Sequence, residues 1–77
     1  MGAAGPLGII AGGGTLPLRV AEAVAASGRA VVVAVLDGHG DGGAFANYPS
    51  QVFRWGLAAQ LLAWLKGHGV RQVVLAG

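Results

Sequence analysis

Leu7-Gly-Ile-Ile-Ala-Gly-Gly-Gly-Thr-Leu-Pro17 is the stretch whose reading decides the fold. An apolar run with two isoleucines meets three consecutive glycines, and a helical pattern begins directly behind them at Thr15 to Leu18. That succession reads as strand, tight turn, helix, the front of a βαβ unit. Backbone N–H groups at Gly12, Gly13 and Gly14 then lie beside a helix N-terminus, where unsatisfied donors and the helix dipole favour an anion. Two readings stay open for such a loop. It is either a cradle for a phosphate-bearing ligand, with Gly12, Gly13, Gly14 and Thr15 as its residues, or a tight turn that lets helix pack on strand. The dinucleotide fingerprint is incomplete: Gly12 and Gly14 fit its first two glycines, but Pro17 stands where the third belongs. No Lys-Ser or Lys-Thr follows to complete a P-loop.

Outward from the loop, Thr15 is the expected N-cap, and Pro17 sits in the first turn where its missing N–H costs nothing. Leu16, Val20, Ala23 and Val24 recur at helical spacing, Gly28 supplies a stop, and Arg19 and Glu22 fall on a solvated face. Ala30 to Leu36 is continuous and β-branched, the pattern of a strand buried on both faces of a parallel sheet. It ends at Asp37-Gly38. An acid at that point, about 20 residues beyond the glycines, is where a dinucleotide fold grips a ribose hydroxyl, so Asp37 is a candidate ligand residue, with turn initiation the alternative.

Gly38 to Ser50 reads as a long loop at the carboxyl end of a strand, with Tyr48, Phe53 and Trp55 expected to pack it back on the core. Val52 and Phe53 form at most a short extended piece. Leu57, Leu61, Trp64 and Leu65 then repeat at helical spacing from Leu57 to about His68, Gly69 offers a stop, and Gln72 to Ala76 is a further strand, expected to be buried like the second. The order predicts a three-stranded parallel sheet with two helices, half of a doubly wound, Rossmann-like fold, over residues 1–77. The last of these strands ends at Ala76, where another loop and helix would begin. The expectation is a partial N-terminal domain whose chain continues past Gly77.

Composition narrows the function classes. Of the 77 residues 55% are hydrophobic and only 10% charged, well under the quarter or so usual in a soluble domain. Such a chain is expected to hide surface against another domain or another copy of itself. The net charge of +2 comes from scattered basic residues, with no basic run and no aromatic interleaving, which argues against nucleic acid as a partner. There is no cysteine, so disulfides and thiolate metal sites are excluded. His39 and His68 are the only histidines beside three acids, too few for a metal cluster. No apolar run approaches a membrane span, and Met1 to Pro6 lacks the positive charge of a signal peptide. The expectation is a cytoplasmic protein.

With these motifs in place, the sequence resembles the N-terminal domain of the LpxI-type UDP-2,3-diacylglucosamine pyrophosphatases. The resemblance is carried by residues 7–17, by the Gly28-Arg29 turn feeding the Val-rich strand, and by Leu65 to Gly77. It implies a part in lipid A biosynthesis in Gram-negative bacteria, where UDP-2,3-diacylglucosamine is hydrolysed to UMP and 2,3-diacylglucosamine 1-phosphate with magnesium assisting. It further implies that the acidic catalytic machinery lies in a C-terminal domain, and that the lipid product is held between the two domains, peripheral to the inner membrane. Under this resemblance Gly12, Gly13, Gly14 and Thr15 line the cleft between the domains, while no catalytic residue and no magnesium ligand is expected here; Asp37 stands as a candidate on the dinucleotide-fold reading alone. One departure stands out: where the family usually shows a Gly-Lys pair in the second helix, this sequence has Ala59-Gln60, which removes a cation. Two other classes of function stay open, a non-catalytic nucleotide or sugar-phosphate binding module and a self-association piece built on an exposed strand edge, as in a homo-oligomer.

Overall fold

The computed structural model describes residues 5–13, 15–36, 45, 47–54, 56 and 58–76. Strand β1 (Leu7–Ala11) leads through the glycine turn into helix α1 (Leu16–Ala26), and strand β2 (Val31–Leu36) follows. Strand β3 (Ser50–Phe53), helix α2 (Ala58–Gly67) and strand β4 (Gln72–Ala76) complete the described elements. All strand pairs are parallel, in the order β3-β2-β1-β4. Among the described residues the sheet therefore has four strands, not three. The segment read as a short extended piece is a full partner of β2, pairing Val33 with Ser50 through Leu36 with Phe53. Its pattern hid this because Ser50 and Gln51 are polar, which an edge strand tolerates and a central one does not.

The period of two along each strand divides the core between the two faces. Leu7, Ile9, Ala11, Val31, Val33 and Val35 pack with Ala21 of α1 on one face, whereas Val32, Ala34 and Phe53 meet Leu61 and Leu65 of α2 on the other. β2 is buried along nearly its whole length, as its unbroken apolar run requires. The connection from β2 to β3 lays Phe45 and Tyr48 on the α1 face, and the carbonyl of Pro49 accepts the Val33 N–H at 2.8 Å. Phe53 instead anchors the α2 face, edge-on to Trp64 at 5.4 Å. Trp55 lies outside the described residues.

β4 departs from the expectation of burial. Val74 and Ala76 are covered on the α1 face, but Val73 is 39% and Leu75 81% exposed on the other. The cause is position. Among the described strands β4 is the outermost, and α2 packs over β2, so none of the described residues covers the α2 side of β4.

Both helices end at the glycines that the sequence marks. Gly28 N–H donates to the Ala25 carbonyl and Arg29 N–H to that of Val24, while Gly69 and Val70 repeat the arrangement with Lys66 and Leu65. These are Schellman motifs, which need a left-handed residue just past the helix; Gly28 and Gly69 supply it at φ 93° and 80°. Val70 is thereby folded against β1, where a Cβ on Gly8 would stand 2.7 Å from Val70 Cγ1. Arg29 straps the same end of the sheet, its Nε donating to the Gly5 carbonyl at 3.1 Å and its Nη1 to Gln72 Oε1 at 2.9 Å.

Gly8→Ala is expected to destabilise the domain by about 1–3 kcal/mol, since the stiff Val70 side chain must shift to admit one methyl group. Gly8→Ala combined with Val70→Ala should recover part of that loss. Urea melts of both variants check it.

Candidate functional site

The site grows out of the strand order. β1 hands the chain to β2 on one side across α1, while β3 returns it across the opposite face through α2 to β4 on the other side. The strand order reverses direction between β1 and β4, and the carboxyl ends of strands at such a switch point are where open α/β sheets commonly bind ligands. The glycine turn sits there.

Gly12 N–H donates to the Ala76 carbonyl at 2.9 Å, extending the β1–β4 ladder past Ala11. That N–H is committed, so at Gly12 the contribution to a ligand is the absence of a side chain. Gly13 has φ 133°, a conformation that L side chains rarely adopt, and is half-buried. Gly14 lies outside the described residues. Thr15 is exposed at the head of α1, but it does not cap the helix with its side chain. Its backbone is already helical at φ −96° and ψ −12°, whereas a capping hydroxyl needs the extended backbone of a true N-cap. The Thr15 hydroxyl is thus not spent on a helix cap. Its carbonyl accepts the Arg19 N–H at 3.1 Å, so the N–H groups of Leu16 and Leu18 precede that first intrahelical bond. Pro17, buried in the first turn, has no N–H to offer, and no acid stands in that turn to compete with an anion.

The turn therefore presents a hydroxyl, backbone donors at the head of an eleven-residue helix and the positive end of its dipole. Asp37 lies outside the described residues, as does His39. Among the described residues no cluster of three or more His, Asp or Glu occurs, and the one carboxylate is Glu22 on the exposed side of α1. The described residues do not fit a magnesium ion. His68 stands with its ring 4.7 Å from that of Trp64, at the far end of α2. Ala59 and Gln60 are exposed and bring no cation.

One feature at the same end of the sheet was not legible in sequence. A cavity of about 300 Å³ opens on the α2 face, lined by Ile10, Leu36, Arg54, Leu61, Leu62 and Leu75 among others. These residues come from several separate elements, and only the sheet register brings Ile10 beside Leu75. No helix among the described residues is long and apolar enough to cross a membrane.

A family model, the LpxI N-terminal domain, matches residues 6–77. No curated protein and no solved structure matches the chain.

Thr15→Ala is expected to leave stability within about 0.5 kcal/mol of the parent, unlike the loss of about 1 kcal/mol typical of removing a capping hydroxyl. Thermal unfolding of the two chains decides it.

Proposed function

The chain belongs to the LpxI family of lipid A biosynthesis, matched through its N-terminal domain, and on that premise we propose that it supplies the phosphate-facing wall of the family's substrate cleft. The substrate in this reading is UDP-2,3-diacylglucosamine, hydrolysed at its pyrophosphate to UMP and 2,3-diacylglucosamine 1-phosphate. The observation that carries the reading is the glycine turn at the β1–β4 switch point, opening onto the head of a helix with no acid in its first turn. A pyrophosphate there meets backbone donors already oriented by the fold, so little ordering remains to be done on binding.

Within that proposal the roles divide by chemistry. Gly12 and Gly13 let the phosphate approach backbone closely, the Thr15 hydroxyl donates to a phosphate or sugar oxygen, and the head of α1 contributes its dipole. Gly14 joins them as an expectation of the resemblance, and Asp37 as the acid that ends the second strand in a dinucleotide-like fold. Magnesium, when bound, neutralises pyrophosphate charge and orients the attacking water. Its ligands are proposed to lie elsewhere in the protein, because the described residues offer no carboxylate pair. No bond-breaking step is therefore assigned to this chain, and binding is the property to measure. A cytoplasmic enzyme working at the inner membrane surface suits a diacylated substrate.

UDP is the probe, titrated into the full chain by calorimetry. Gly13→Val should weaken UDP at least tenfold, and Thr15→Val severalfold, as expected when a hydrogen bond to a charged phosphate is lost. Unchanged affinity in both variants, with folding intact by circular dichroism, overturns the reading.

A further inference from the structure

We draw no further inference here: the strongest candidate, the apolar cavity of about 300 Å³ on the α2 face, lined by Ile10, Leu36, Leu61, Leu62 and Leu75 together with Arg54, lies against the outermost of the described strands, and nothing in the structure shows what covers it.

Discussion

The constraint on which the molecule depends is that β1 is paired on both edges while helices pack against both faces of the sheet. Its N–H and C=O groups alternate between β2 and β4, and its side chains alternate between the α1 layer and the α2 layer. A strand so enclosed can carry no polar side chain, and at Gly8 it can carry no side chain at all, because Val70 arrives there from the end of α2. The other elements inherit their places from it. α1 must leave from its carboxyl end, and the glycine turn that lets it do so is for that reason the natural place for a ligand to meet bare backbone.

The same ladder both builds the candidate site and limits it. By donating to Ala76, Gly12 closes the seam between β1 and β4 and gives up its own N–H. What remains for an anion lies further along, at Gly13, Thr15 and the first turn of α1. That turn includes a proline with no N–H, yet Pro17 is almost wholly buried and anchors the head of the helix. Rigidity has been gained there at the cost of a donor. The anion site proposed at this turn suits substrate holding better than bond breaking, in keeping with a domain whose described residues carry one carboxylate.

An uneven distribution of cover runs through the structure. The α1 face is closed by α1, Phe45 and Tyr48, but the α2 face is closed over β2, β3 and much of β1 and left open at β4. Leu62, 52% exposed, and Leu75 mark the part left open, beside the cavity at the carboxyl end of the sheet. With so few charged residues in the chain, little polar surface is available to mask that region.

The sequence by itself determined the local events: where β1 and β2 run and where the glycines stop both helices. Each of these rests on interactions between residues close in the chain, or on an unbroken apolar run that only a doubly covered strand can bury. The tertiary structure alone decided the rest. Ser50 to Phe53 is a strand only because β2 offers a free edge to it, and β4 is exposed only because α2 crosses elsewhere, although its run of apolar residues is much like that of β2. The loss of the Thr15 cap was equally hidden, since residue type announces a capping hydroxyl but backbone dihedrals decide whether it can reach. Pairing partners, strand order and the phase of outward backbone groups are long-range properties, set by which edges and faces remain free once the central strands have met.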